Sequence, residues 1–310
     1  MKYSIITPVY NRADCIARCL DSVIRNLRWG VELEHIVVDD GSHDDSPKIV
    51  QNYADKHPHI KFIPFLQNRG TNAARNAAIA AATGDYCIIL DSDDYFVDEA
   101  VRQIDGVVTT HKYLHYFFMP DDMIDFHNSY SLIQGKECAV ITYEDLLLRR
   151  VDGDFIHVVS TNIFKKYPFD EYVRVNEGVF FMLLHREEKE IYYSNIVTTI
   201  RERGREDSVS RSTRADKEAV MRSIKAINLR LKWFESDLLK YPEGVKLVST
   251  LLLKLVDYNL IIGDYKNTGI ARQHLKQIGC NEIPFLLLVI YKLKLSWFYY
   301  LAGMCYSKIK

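Results

Sequence analysis

Apolar and polar positions alternate with two periods along the first hundred residues. The run YSIITPV (residues 3–9) is rich in β-branched residues and closes around Pro8, which predicts a first strand. Ile16, Cys19, Leu20, Val23 and Leu27 then recur at helical spacing. ELEHIVVDDGS (32–42) predicts a second strand, ending on the turn-forming Asp39, Asp40 and Gly41. SPKIVQNYADKH (46–57) predicts a helix with Ser46 as its cap and Pro47 at its first position. IKFIPF (60–65) is a third strand, GTNAARNAAIAAAT (70–83) an alanine-rich helix ending before Gly84, and DYCIIL (85–90) a fourth strand. Near-continuous apolar strands separated by helices imply an α/β fold, with a parallel sheet covered by helices.

Residues 111–210 are less regular. LHYFFM (114–119) and IYYSNIVTTI (191–200) read as strands, and Thr142 with Asp145 forms a capping-box pattern that opens a helix at YEDLLLRR. From Asp216 onward the pattern is helical, through Val220, Ile224, Ile227, Leu231 and Phe234, then Val248, Leu252, Leu255 and Ile262. The stretch 283–306 is strongly apolar but interrupted by Lys292 and Lys294. A central lysine costs roughly 2.5–3.5 kcal/mol in a bilayer, which disfavours spanning. Two arrangements remain: packing on the helices of 216–280, or a basic amphipathic helix lying at a membrane interface.

The chain has 310 residues, enough for one large α/β domain with an appendage. A net charge of −1 gives no basic field to recruit nucleic acid. The six cysteines contain no CxxC, which argues against a zinc knuckle or disulfide framework and fits a reducing cytoplasm. Cys15 and Cys19 share a helix face and read as core. The N-terminal apolar run is too short for the core of a signal peptide.

The densest chemistry lies in CIILDSDDYF (87–96), where a buried-looking strand runs into Asp91, Asp93 and Asp94. Carboxylates so close resist joint ionisation, so a positive partner is expected among them. In open parallel sheets ligands bind beyond the carboxyl ends of the strands, which puts Asp39–Asp40 and Asp91–Asp94 on one rim. On an extended chain Asp91 and Asp93 point the same way and offer hard oxygen ligands suited to Mg²⁺ or Mn²⁺, a cation that keeps substrate phosphates as further ligands. The plain alternative for any one Asp-X-Asp is a solvated turn.

SIITPVYNR, IVVDDGSHDDS and NRGTNAARNAAIAAATGDYCIILDSDDYF, in that order and spacing, resemble the inverting family 2 glycosyltransferases with a GT-A fold over roughly the first 100 residues. The resemblance implies a nucleotide-sugar donor, a divalent metal and transfer to a glycan or lipid-diphosphate-linked acceptor. It implies a nucleotide-sugar half (1–110), an acceptor half (111–210) and a helical region (211–310) with a membrane-interface segment at 283–306. Bacterial polysaccharide assembly is the implied context, in the cytoplasm or on the inner face of the cytoplasmic membrane. By position, Pro8 and Tyr10 match the segment that wraps the base, and Asp40 the uracil and ribose contact; Asp39 either shares that role or holds the turn. Asn68, Gly70 and Arg75 match the N-x-G…A-R-N stretch, with Arg75 reaching the base or diphosphate. Asp91 matches the ribose or metal, Asp93 the metal, and Asp94 an acidic position of unassigned role. Glu177 matches the first carboxylate of the family's Glu-Asp pair, whose second position here is Gly178. It is the implied base, against the alternative of a charge at a helix N-terminus. Arg205 and Ser208 match a segment near the diphosphate, with Asp207 in place of a glycine. His111, His115 and His127 read as surface or acceptor-site residues rather than metal ligands.

Rival classes are a metal-dependent nucleotidyltransferase, a phosphatase with an aspartate nucleophile, and a catalytically silent binding protein of the same fold. The first calls for a glycine- and lysine-containing loop after strand one, and the second for an aspartate there. TPVYNRADC has neither glycine nor lysine, and Pro8-Val9-Tyr10-Asn11 stands where the aspartate should follow the strand. The third draws only on Gly178.

Overall fold

A computed structural model describes residues 1–172, 177–202, 216–280, 283–297 and 299–300. The chain divides into two compact units, residues 1–174 with 180–205, and residues 175–179 with 206–310.

The first unit begins as the apolar pattern requires. It runs β1 (Lys2–Val9), α1 (Ile16–Asn26), β2 (Glu32–Asp39), α2 (Ser46–Lys56), β3 (Ile60–Pro64), α3 (Thr71–Ala81) and β4 (Tyr86–Ile89). It continues through β5 (Tyr95–Phe96), α4 (Ala100–Thr110), β6 (His115–Pro120), α5 (Ile124–His127), β7 (Cys138–Thr142) and α6 (Tyr143–Leu147). β8 (Ile156–Ser160), α7 (Thr161–Lys166), α8 (Gly178–Glu188) and β9 (Glu190–Ile200) follow. The strands form one sheet in the order β3-β2-β1-β4-β8-β6-β9-β5, with β7 also paired to β9.

β3, β2, β1 and β4 are mutually parallel, as the βα alternation predicts. Beyond β4 the sheet turns mixed: β8 is antiparallel to both β4 and β6, while β6 and β9 run parallel. The sequence gives no signal for β7 or β8. Their partners lie far along the chain, and Ile156–Ser160 is too short to show a period of its own.

Side chains of β1 and β2 alternate between two cores, as a two-residue period demands. Tyr3, Ile5, Val9, Leu33 and Val37 pack with Ile16, Leu20, Val23 and Ile104. Ile6, Ile36 and Val38 pack on the opposite face with Ala74, Ala78, Phe164, Phe180 and Leu184. Because both faces are covered, the strands carry no polar stripe. The capping box is present: Thr142 Oγ1 accepts the Asp145 N–H, and the Asp145 carboxylate accepts the Thr142 N–H. Ser46 is not the cap of α2. Asp45 holds that position, and the Ser46 hydroxyl accepts the Arg12 N–H at 2.7 Å instead.

One buried charge joins three segments at the opposite edge from the acidic rim. Glu34 in β2 accepts from Ser4 Oγ (2.5 Å), the Thr83 N–H (2.5 Å), the Gly84 N–H (3.1 Å) and Lys61 Nζ (3.0 Å). Burial opposes its charge, but hydrogen bonds from Ser4, Thr83 and Lys61 outweigh it and hold the carboxyl down at about 2. A depressed carboxyl adds stability that is present above its unfolded value and lost as pH falls through the folded one. Chemical denaturation should therefore show stability declining between about pH 4.5 and 2, by on the order of 3 kcal/mol at most. Glu34→Gln should flatten that limb; an unchanged profile would show that the carboxylate contributes nothing there.

The second unit contains α9 (Lys217–Leu238), α10 (Pro242–Ile262), α11 (Tyr265–Gln277) and α12 (Phe285–Leu293). Asp216 caps α9 by accepting the Glu218 N–H. Val220, Leu231, Phe234, Val248, Leu252 and Leu255 are buried as their spacing predicts. In α12, Leu287 and Ile290 are buried and Tyr291 lies under the Arg272 guanidinium at 4.4 Å; beyond the helix, Tyr299 OH donates to Asp257 at 2.5 Å. The opposite side leaves Phe285, Leu286, Leu293 and Trp297 between 61% and 80% exposed. The tail thus combines a packed face with an exposed apolar one. Among the described residues, no helix is long and apolar enough to cross a membrane.

Candidate active site

β1 lies between β2 and β4, all three parallel, so their carboxyl ends share one rim. The loops leaving β1 and β2 are joined there. The Asn11 N–H donates to Ser42 Oγ (2.9 Å), the His43 N–H donates to Asn11 Oδ1 (2.9 Å), and the Ala13 N–H donates to Asp44 Oδ2 (3.0 Å). Asn11 adopts φ 51°, a left-handed conformation that asparagine tolerates better than most residues. Pro8 is buried inside β1 opposite Val38 rather than in the turn, and Tyr10 stands 39% exposed beside His43.

The two aspartates ending β2 hold backbone. Asp39 Oδ2 accepts the Ser42 N–H at 2.9 Å, while its Oδ1 is buried with no hydrogen-bond partner. The family resemblance implies a role for Asp40 at the base and ribose; in the structure the two Asp40 oxygens accept the Arg69 N–H (2.6 Å) and Gly70 N–H (2.8 Å), which anchors the loop carrying the exposed Asn68. Gly70 opens α3 at φ 97°. Gly41 lets this loop approach: at φ 71°, a β-carbon there would sit 2.6 Å from the Gln67 carbonyl carbon and 2.7 Å from the Asn68 nitrogen. Gly41→Ala should therefore cost roughly 1–3 kcal/mol in backbone strain, with the steric clash in addition. A melting temperature equal to that of the parent would contradict this close packing.

The acidic segment after β4 is a turn, not an extended strand, since the Asp94 N–H donates to the Asp91 carbonyl at 3.0 Å. The two-residue spacing therefore does not align Asp91 and Asp93 as it would on a strand. The expected positive partner is present in part as protein: Arg75 on α3, only 11% exposed, donates to Asp91 Oδ1 at 2.9 Å. Its guanidinium also lies 5.7 Å from the Phe169 ring. Arg75 thus holds the acidic turn. Asp94 is drawn inward and accepts the Glu202 N–H at 3.2 Å. Burial, then the charges of Asp91 and Asp93, push its carboxyl up to about 8. Asp91 remains 45% exposed and Asp93 half-buried. These hard oxygens on a turn of excess negative charge fit Mn²⁺ or Mg²⁺.

Several supports have no local signal in the sequence. Arg18 on α1 donates to the Asp93 carbonyl at 3.1 Å and pairs with Glu202, 184 residues away. Cys19, buried as expected along with Cys15, lies 3.8 Å from the Asp91 carbonyl. Asn76 exchanges two hydrogen bonds with the Phe169 backbone, and Asn72 donates to the Asp170 carbonyl, tying 169–170 to α3. Glu177, half-buried, immediately precedes α8. Arg205, Asp207 and Ser208 lie outside the described residues.

The histidines depart from expectation. His111 is half-buried and stacked on Tyr192, with ring centroids 4.2 Å apart. His127 is buried against Phe155, and burial brings it down to about 4. His115 is fully buried in β6 and has a carboxylate partner, Glu188, at 3.1 Å. Its placement on an inward-facing strand position overrides the polarity that suggested a surface.

The rim, its loops and the acidic turn together define a site at the carboxyl edge of the parallel strands. Residues 4–126 match the model of Glycosyl transferase family 2. Over that segment the chain is similar to the family 2 glycosyltransferases. Over 102 residues it is 42% identical to a poly(ribitol-phosphate) beta-glucosyltransferase of Bacillus spizizenii, covering 33% of this chain and 16% of that protein. Over 214 residues it is 28% identical to the GalNAc(5)-diNAcBac-PP-undecaprenol beta-1,3-glucosyltransferase of Campylobacter jejuni, covering 67% of each. The S. aureus TarS 1–349 structure in complex with UDP-GlcNAc superposes with a TM-score of 0.61 at 16% identity, covering 89% of this chain and 92% of that one. The GT-A fold with a C-terminal helical region is thereby established. The chain spans well under two thirds of the first curated relatives it matches.

Proposed function

We propose that the chain is an inverting glycosyltransferase, moving a sugar from a nucleotide-diphosphate sugar, preferentially a UDP-sugar, to a hydroxyl of a glycan or lipid-diphosphate-linked acceptor in bacterial surface-polysaccharide synthesis. The observation that carries this reading is one rim holding both the buried, unpartnered Asp39 Oδ1 and the acidic turn of β4. Asp39 accepts from the base, with Tyr10 and the Asn68–Gly70 loop around the nucleoside, and the family resemblance assigns Arg205 and Ser208, which lie outside the described residues, to the diphosphate. Asp91 and Asp93 would hold a divalent cation, which would supply positive charge for the departing diphosphate. Glu177 takes the proton from the acceptor hydroxyl as it attacks the anomeric carbon, and single displacement inverts that centre.

A thermal-shift screen of nucleotide sugars with Mn²⁺ tests the donor. At about 100 times its dissociation constant the right one adds about 2.7 kcal/mol of stability. Release of nucleoside diphosphate and free sugar then tests the chemistry. Binding without release would mark a silent binding protein, and no shift from any donor would overturn the reading.

The exposed apolar side of α12, with exposed Lys292 and Lys294 nearby, suits peripheral contact with an anionic lipid surface. The protein should co-sediment with phosphatidylglycerol-containing vesicles at low salt, and Leu286→Glu should release it without lowering its melting temperature. Co-sedimentation that is absent, or indifferent to Leu286→Glu, would remove the membrane from the proposal.

A further inference from the structure

A second cluster of metal-ligating groups lies within the first unit, on elements other than the acidic turn. His185 and Glu188 stand three residues apart on α8, so they share one helix face. Facing them is His115 of β6, whose Nδ1 is 3.1 Å from Glu188 Oε2 and whose ring stacks on His185 with centroids 4.9 Å apart. One ligand atom from each of the three lies within 4.8 Å of the others. The surroundings are closed: His115 is 0% and His185 3% exposed, and the Glu188 side chain 1%. Two buried atoms find no hydrogen-bond partner, His185 Nδ1 and Glu188 Oε1. Buried polar atoms are nearly always satisfied, because leaving one unmade costs about 1–3 kcal/mol. Two such atoms on adjoining residues point to a missing occupant.

We propose that His115, His185 and Glu188 supply three ligands of a Zn²⁺ that fastens α8 to the sheet, with a water completing the tetrahedron. Two neutral imidazoles and one carboxylate are a donor set zinc favours, and burial keeps the imidazoles neutral. The outer contact fits as well. His115 Nε2 lies 2.9 Å from His157 Nδ1, the kind of second hydrogen bond that fixes the tautomer of a metal-bound imidazole. With Nε2–H donating to His157, His115 Nδ1 presents a lone pair toward the Glu188 carboxylate. Two acceptors at that distance need a proton or a cation between them, and Zn²⁺ takes the proton's place. Ligand atoms around tetrahedral zinc sit roughly 3.3 Å apart, so no pair has to close by more than about 1.5 Å. The metal-free alternative has His157 donating to His115 and His115 donating to Glu188, which still leaves His185 Nδ1 and Glu188 Oε1 unmatched.

This proposal is independent of the glycosyltransfer reading, and its test reads no transfer activity. Full-length protein carrying Asp93→Ala, to remove the candidate cation ligand on the acidic turn, is stripped with chelator and titrated with Zn²⁺ or Co²⁺ alone. The expected results are one tightly held equivalent, a rise in melting temperature, and the visible absorption of tetrahedral Co²⁺. His185→Ala and Glu188→Gln should each weaken binding by 10-fold or more, and His157→Ala by about 10–100-fold. Should a variant fail to fold, stoichiometry and the cobalt spectrum of the Asp93→Ala protein still decide. Failure to retain zinc, a cobalt spectrum lacking the tetrahedral bands, or affinity unchanged in His185→Ala would overturn the proposal.

Discussion

Replacing Asp93 with alanine should abolish metal-dependent transfer while leaving the protein folded. The side chain is half-buried at a turn on the rim rather than in either core. Outside the cores a substitution usually changes stability by no more than about 0.5 kcal/mol, which moves the melting temperature of a chain this size by about 2 °C at most. The effect on rate is far larger. A cation at a developing phosphate charge contributes several kcal/mol, and each 1.4 kcal/mol is tenfold, so turnover should fall by roughly 10³ or more. Added Mn²⁺ should no longer stimulate the variant. Full activity of Asp93→Ala in chelator-treated buffer would remove the cation from the mechanism. Asp91 is a less selective probe, because changing it also breaks the Arg75 ion pair and disturbs the turn itself.

Glu177→Gln should lower turnover by a factor on the order of 10² to 10⁴ with donor affinity nearly unchanged. Glutamine keeps the size and hydrogen-bonding reach of the side chain and removes only the proton acceptor. A helix N-terminal charge contributes about 0.3–1 kcal/mol to stability and nothing specific to rate. The two roles therefore separate: the base predicts a large loss of turnover at constant melting temperature, the helix charge a small loss of stability at constant turnover. If turnover holds, another carboxylate must act. Of the alternatives Asp152, Asp154 and Asp170, the last accepts the Tyr172 N–H, Asp154 lies 3.5 Å from Arg201, and Asp152 lies 3.8 Å from Arg149. Double substitution with Glu177 would locate the base among them.

Legibility in the sequence follows the range of the interactions involved. The β1–β4 half could be read because each strand is buried on both faces and each crossover helix is amphipathic, so periodicity survives in short windows. The acidic rim could be read for a related reason: parallel strands joined by helices bring Asp39 and Asp91 to the same edge whatever the details. Strand β8 could not, since it is inserted antiparallel between β4 and β6 by contacts 38 to 74 residues away. Asp40 was placed correctly on the rim, but its two backbone acceptor bonds depend on where residues 69–70 return. His115 shows the same limit, because its carboxylate partner is 73 residues distant.

The sequence by itself determined the α/β class, the order of the first seven elements, the edge on which the carboxylates gather and the capping box at Thr142. These rest on local propensity, two-residue and 3.6-residue periods, and the fixed handedness of parallel crossovers. Only the tertiary structure decided that the acidic segment is a turn held by Arg75 and Arg18, that Asp40 anchors a loop, and that His115 and His185 gather around Glu188. Each of those outcomes is a pairing between side chains or backbone groups distant in sequence. Such pairings are set by the closing of the sheet and the packing of α1, α3 and α8 against it, which no local window of sequence encodes.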